Sequence, residues 1–438
     1  MTRPNAVVRL SRRAWLSAIT AAGSAVAMAR TPYGGKLDLR VPWPLSSLDP
    51  HAIDDVAAAL FGDAVADPLF GLDSKGRPYP TLADAMPSKT PKGARIRLRP
   101  NLKSARGRPL DARDLLFSWR RSRNKAGAGP LGGFEEPFHD KEDGHAIFVP
   151  NADPIGVATA LASPVTALLP RGFSRLRPDG TGAFVATVGR DQLVLERNVD
   201  AARGAAYLWK IEATRASDLA DALRAFEAGE ADVGWLGQGL HRPRPGALAF
   251  EGPRFGWVVL RTGSRARAWS APGVAQRLLD GIAPSRLQHL GLQGIPAARG
   301  EQKWGGEPAD LLYATDAPHL AQIARALAAL LSKKDHELTA KGHSAAELAR
   351  RKNTGDYAVM VDFVRRIGPS PQETQMSLLA SIAPAMAQRP PQLTTKSARD
   401  IAQTLPLGVI GELTVRGAHV PSFQNVARWD LGAIYQQG

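Results

Sequence analysis

The sequence predicts an α/β protein, and three observations lead there. Apolar residues make up 44% and charged residues 22% of the 438 positions, ordinary globular proportions that exclude a fibrous repeat and wholesale disorder. Extended segments with period-two alternation recur from Lys36 onward. In the C-terminal third, amphipathic helical stretches alternate with buried strand-like runs, the pattern of parallel βα units. A chain this long holds two or three units around a sizeable core.

Taken in order, Lys36–Val41 alternates as a half-buried strand, and Pro42-Trp43-Pro44 ends it. Asp54 to Val65 reads as a helix, with Val56, Leu60 and Val65 on one face. Arg95 to Arg99 alternates again, three arginines against Ile96 and Leu98. Asp111 or a neighbour starts a helix through Leu115, Leu116, Phe117 and Trp119. Residues 125–156, rich in Gly, Pro and charge, read as an irregular connection. Gln192–Glu196 is a strand. Ser217 caps a helix whose stripe is Leu219, Ala222, Leu223 and Phe226, and Gly229 stops it. A strand begins at Ala231-Asp232-Val233, and Arg254–Arg261 is a buried strand. Thr315 or Asp316 caps a helix carrying Leu320, Ile323, Leu327 and Leu330. Tyr357–Phe363 is a strand leading into the Gly368-Pro369 loop. No internal repeat of 20–50 residues is visible.

Residues 1–29 read as an export signal. Arg3, Arg9, Arg12 and Arg13 precede a short small-residue run that ends in Ala27-Met28-Ala29. Within it Ser11-Arg12-Arg13-Ala14-Trp15-Leu16 resembles the twin-arginine motif, the alternative being a general secretory signal. No later segment has the apolar length of a membrane span, so a soluble protein outside the cytoplasm is expected.

Known catalytic motifs do not fit. There is no GxSxG elbow and no P-loop, and Gly237-Gln238-Gly239 lacks the third glycine of a dinucleotide fingerprint. His336-Glu337 with His343 has the wrong spacing for HExxH, and with no cysteine there is no thiolate chemistry. No catalytic residue, metal ligand or cofactor is assigned.

The formal charge is +15, which invites a nucleic-acid reading. Cleavage after Ala29 removes four arginines and leaves 52 basic against 41 acidic residues, or +11. Arg95 to Lys125 holds eleven Lys/Arg and only Asp111 and Asp114. The run lacks the interleaved aromatics of a strand-binding surface, so a solvated basic face is expected, with an anionic lipid or polymer as its functional rival. Nucleic acid is not expected as a partner.

Several segments together resemble a known family. They are Ser47-Leu48-Asp49-Pro50-His51, Ala66-Asp67-Pro68-Leu69-Phe70-Gly71, Pro80-Thr81-Leu82-Ala83-Asp84, Ile96-Arg97-Leu98-Arg99-Pro100-Asn101, Gly107-Arg108-Pro109-Leu110-Asp111-Ala112-Arg113-Asp114, Gly180-Thr181-Gly182-Ala183-Phe184 and Phe226-Glu227-Ala228-Gly229-Glu230-Ala231-Asp232. In order and spacing over about residues 36–285 they are similar to the bacterial extracellular solute-binding proteins of the oligopeptide/dipeptide/nickel type, family 5, which serve ABC importers.

The resemblance implies a two-lobed periplasmic-binding-protein fold of type II-like form, with an extra subdomain on the first lobe. The implied division is residues 30–70, 178–262 and 405–438 as hinged lobe I, 71–177 as the subdomain and 263–404 as lobe II. It implies no catalysis, a likeness to monomers, a peptide or small-molecule ligand in the interlobe cleft, and an inner-membrane ABC permease as partner. The alternative is a degenerate relative acting as an envelope scaffold, sensor partner or chaperone, because Leu290 to Glu307 is short of second-lobe helical material.

In this family the loop after Leu48-Asp49-Pro50 approaches the cleft. His51, Asp54 and Asp55 are therefore candidate contacts, unless the two acids only start a helix. Peptide-binding members place an acid shortly after an aromatic near Phe363, to pair with the ligand ammonium. Here Phe363-Val364-Arg365-Arg366-Ile367 has arginines and no acid. Arg365 or Arg366 in the cleft would favour a carboxylate or phosphate, so Phe363, Arg365 and Arg366 complete the candidate site, with an anionic ligand expected.

Overall fold

In the computed structural model, residues 33–235, 244–295, 300, 302–388 and 395–437 are described. The expected export signal and Gly237-Gln238-Gly239 lie outside them.

Ten strands form one curled mixed sheet. In chain order they are β1 (Lys36–Val41), β2 (Phe184–Val188), β3 (Gln192–Arg197), β4 (Lys210–Arg215), β5 (Val233–Trp235), β6 (Leu248–Thr262), β7 (Ala309–Ala314), β8 (Leu338–His343), β9 (Val359–Arg365) and β10 (Leu407–His419). Across the sheet the order is β8-β7-β9-β6-β10-β5-β1-β4-β3-β2. The long antiparallel pair β6 and β10 runs through the middle, with register shifts that bend it. On one side lies a parallel unit, β7 pairing with both β8 and β9. Helices α4 (Pro318–Leu331) and α5 (Ala345–Thr354) make its crossovers. On the other side β1 pairs in parallel with β4 and β5, and β2 and β3 close the edge antiparallel. A separate four-stranded sheet, spanning Ser88 to Val149, carries its own apolar cluster around Trp119, Leu115, Ile96 and Ile147.

The helices form where apolar spacing and caps agree. Helix α1 (Val56–Val65) is capped by Asp55, whose side chain accepts from the Ala58 amide. Helix α2 (Ala112–Arg123) starts in a capping box between Asp111 and Asp114. Helix α3 (Leu219–Glu227) buries Leu219, Ala222, Leu223 and Phe226. Gly229 stops it at φ +83, a conformation a side chain would resist. Its Phe226 ring lies on Gly234 of β5, where a Cβ would come within 2.6 Å of the ring.

Several boundaries differ from expectation for physical reasons. The cap of α3 is Asp218, not Ser217, because its carboxylate reaches the Asp221 amide at 2.6 Å. The cap of α4 is Ala317, not Thr315 or Asp316: Pro318 stands at the first helical position with its φ preset. Helix α1 begins after Asp54, and β9 runs two residues past Phe363, to Arg365. The segment 125–156 is not a plain connection. It holds a short helix (Ala128–Leu131) and strand Ala146–Val149, paired with Gly93–Arg97. That pairing joins residues some fifty positions apart, which local composition does not report. Among the described residues no helix is long and apolar enough to cross a membrane.

The basic run from Arg95 to Lys125 is not a bare cationic face. Arg95 pairs with Asp140 and Asp143, Arg97 with Asp84 and Asp143, and Arg120 and Arg123 with Glu136. Arg121 and Lys125 both hold Asp49. For these six cations the counter-charges come from outside the run.

Candidate functional site

A cavity of about 480 Å³ opens at the carboxyl ends of β1 and β7, within the range of small-ligand sites. Such strand ends are where open α/β sheets bind ligands. One wall is the loop after β1, from Pro44 to Val56; the other is built from α4, α5 and β9, with Lys125, Arg175 and Leu176 at the side.

The loop wall is held from beneath. Trp43 is wholly buried, its ring edge-on to His319 at 4.6 Å and to Phe255 at 6.1 Å. Arg121 donates to both oxygens of Asp49 (2.7 and 2.8 Å) and Lys125 donates at 2.6 Å. These cations outweigh the burial that opposes charge on Asp49 and hold its carboxyl far below the usual carboxylate range. Asp55 accepts from the amides of Ala58 and Asp49, each at 2.9 Å, and so fastens α1 to the loop. Burial pushes its carboxyl up to about 6.

On the opposite wall, Ala345, Leu348, Ala349 and Lys352 fall at helical spacing on one face of α5 and line the cavity together. Strand β9 adds Met360, Asp362 and Phe363. Arg261 of β6 donates to Asp362 at 2.7 Å, and Lys352 approaches the same oxygen at 3.3 Å. Lys352 also donates to Asp54 on the loop, so a single ammonium joins the two walls. Burial opposes the charge on Asp362, yet Lys352 and Arg261 hold its carboxyl below the usual range.

The residues singled out from sequence divide in two. Asp54, Asp55 and Phe363 line the cavity; of the two acids, Asp55 also starts the helix. His51, Arg365 and Arg366 do not line it. His51 is fully buried and its Nε2 donates to the Ala167 carbonyl at 2.8 Å. Burial lowers its pKa to about 3, so the ring is neutral. Arg365 is an internal strut: Nη1 donates to the Pro50 carbonyl at 2.7 Å, and its own amide donates to Ile53 at 2.7 Å. Arg366 donates to the carbonyls of Gly368 and Pro369 and lies over the Trp257 ring. Neither guanidinium reaches the cavity, which removes the basis on which an anionic ligand was expected. The acid absent after Phe363 stands immediately before it, as Asp362.

Sequence reasoning missed Asp362, Arg261, Lys352, Asp316 and Arg175. Asp362 and Arg261 carried a usable signal, each being a lone charge in an apolar strand run (VMVDFV and WVVLR), where burial demands a partner. Asp316 and Arg175 carried none. Among the described residues no cluster of three or more His, Cys, Asp or Glu is arranged to hold a metal ion.

The curled sheet with a cavity between two walls is the fold of two-lobed periplasmic binding proteins. The Bacillus subtilis oligopeptide-binding protein AppA, solved with a nonapeptide, superposes with a TM-score of 0.70 at 14% identity, covering 93% of this chain and 100% of that one. The Escherichia coli murein tripeptide binding protein MppA gives 0.67 at 14% identity, covering 93% and 99%. Residues 77–245 match the family model of the bacterial extracellular solute-binding proteins, family 5 Middle. The periplasmic oligopeptide-binding protein OppA of Escherichia coli (strain K12) is 30% identical over 95 residues, which is 22% of this chain and only 18% of that relative.

Proposed function

We propose that this chain is an exported solute-binding protein of an ABC importer, which captures a small solute in the cavity between the 44–56 loop and the α4–α5–β9 wall. The observation that carries the reading is the cavity itself: enclosed by elements from both sides of β6 and β10, apolar along α5, and lined by charges most of which are already paired. A charge that already has a partner is not left alone when a ligand excludes water, so most of the charged lining can be covered without stranding a lone charge. The reading takes residues 30–70, 178–262 and 405–438 as one hinged lobe, 71–177 as its added subdomain and 263–404 as the other lobe. The solute then passes to an inner-membrane permease, and no covalent chemistry is involved.

Native mass spectrometry of the protein isolated from its own cell envelope tests this, together with melting shifts over a panel of peptides, amino acids, sugars and organic acids. The expected result is a co-purifying mass or a ligand-induced shift that Ala349→Trp, which fills the cavity from its rim, abolishes. A wild-type protein with neither mass nor shift would point instead to a scaffold or chaperone relative.

A further inference from the structure

The ammonium of Lys352 stands inside the cavity, between its two walls. It bridges Asp54 on one wall and Asp362 on the other. Its side chain is only 19% exposed, with its stem on the apolar α5 face beside Leu348 and Ala349. Asp362 is already paired by Arg261, so the four groups form a chain Arg261–Asp362–Lys352–Asp54 of alternating charge across the cavity. Burial opposes charge on Lys352, but the two carboxylates more than offset it and hold the ammonium protonated. A second cation entering between Asp54 and Asp362 would meet Lys352 at contact distance with both of those carboxylates already paired, a repulsion that grows as water is excluded.

We propose that Lys352 is the specificity-determining residue of this cavity: a tethered ammonium that fills the carboxylate pair of Asp54 and Asp362 and excludes cargo that would bring an ammonium to it. This rests on the reading of the cavity as the ligand site and names the class it selects, solutes that are neutral or anionic at this point. Arg175 and Asp316, the charged wall residues without a side-chain partner among the described residues, are left to orient them.

The test compares tri-alanine with a free amino terminus against N-acetylated tri-alanine, two probes of one shape differing in that charge. Binding is measured calorimetrically at neutral pH on the full chain, with each variant first shown to fold by its melting transition. Lys352→Ala, and Lys352→Met to retain the stem's packing, should bind the free-amine probe at least about tenfold more tightly than wild type, while the acetylated probe is unchanged. Asp54→Asn in the wild-type background should show no gain, because Lys352 still covers Asp362. The proposal is overturned if the lysine variants show no gain, including no binding at all, or if both probes gain equally, which would mean added volume rather than released charge. The binding reading is tested separately by the co-purifying mass that Ala349→Trp removes. Loss of that mass with no gain in the lysine variants would sink this inference and leave that reading standing.

Discussion

Asp55 shows how one residue serves both the fold and the cavity. It caps α1, holds the Asp49 amide and faces the cavity, and burial raises its carboxyl from 3.8 to about 6. The folded state therefore binds a proton that the unfolded chain releases at lower pH. Its contribution to stability is present at low pH and lost as pH rises through about 6. His51 and His319 act in the opposite sense. Burial lowers them from 6.5 to about 3 and about 4, so each contributes stability above its ordinary value and loses it as pH falls toward those values. Asp63, Asp67 and Asp232 are also raised by burial and act with Asp55 against the two histidines, so the test is the difference from wild type over pH 6.5 to 4. Asp55→Asn removes one opposing contribution, so its melting temperature should fall more steeply over that interval than wild type; a shallower profile would show the sign to be wrong.

At the scale of elements, caps and helix faces decide where cavity residues stand. The helix Pro371–Ile382 starts in a capping box, Ser370 reaching the Glu373 amide and Glu373 returning to the Ser370 amide. Ser370→Ala should cost about 1 kcal/mol in urea unfolding, typical of a lost side-chain cap, with no change in ligand binding because the box stands outside the cavity wall. Helix α5 does not stand out in the sequence, yet its Ala345-x-x-Leu348-Ala349-x-x-Lys352 spacing is legible once its partner is known. By contrast α3 is visible with its stop, because Leu219, Ala222, Leu223 and Phe226 repeat strongly and Gly229 follows. Only its cap shifts by one, where Ser217 and Asp218 compete and the carboxylate wins.

For the whole molecule, the +15 formal charge turns on pairing between distant segments. Arg95 and Arg97 stand on one strand face and meet Asp140 and Asp143, which return to it through the strand Ala146–Val149. Arg95→Ala should therefore lower the melting temperature of the protein. It should leave sedimentation with anionic phospholipid vesicles unchanged, since the guanidinium is engaged internally; a marked loss of vesicle binding would restore the basic-face reading. The same long-range logic explains Arg365, which looks like a ligand group in sequence and donates to Pro50, whereas Arg366 is spent on the adjacent Gly368-Pro369 loop.

The sequence by itself determined the class of fold, the alternation of helix and strand and a family resemblance that the family model matches over residues 77–245, and it named Asp54, Asp55 and Phe363, which line the cavity. Those depend on periodicity and on short motifs, which are local. Only the tertiary structure decided which charges face the cavity and which are spent on the fold. Asp362, Arg261 and Lys352 come from β9, β6 and α5 and meet Asp54 from the far wall, and His51 and Arg365 are held by distant backbone carbonyls, of Ala167 and Pro50, that no local pattern announces. A buried charge takes whichever partner the packed chain brings within hydrogen-bond reach, and that partner is set by topology, not by distance along the sequence.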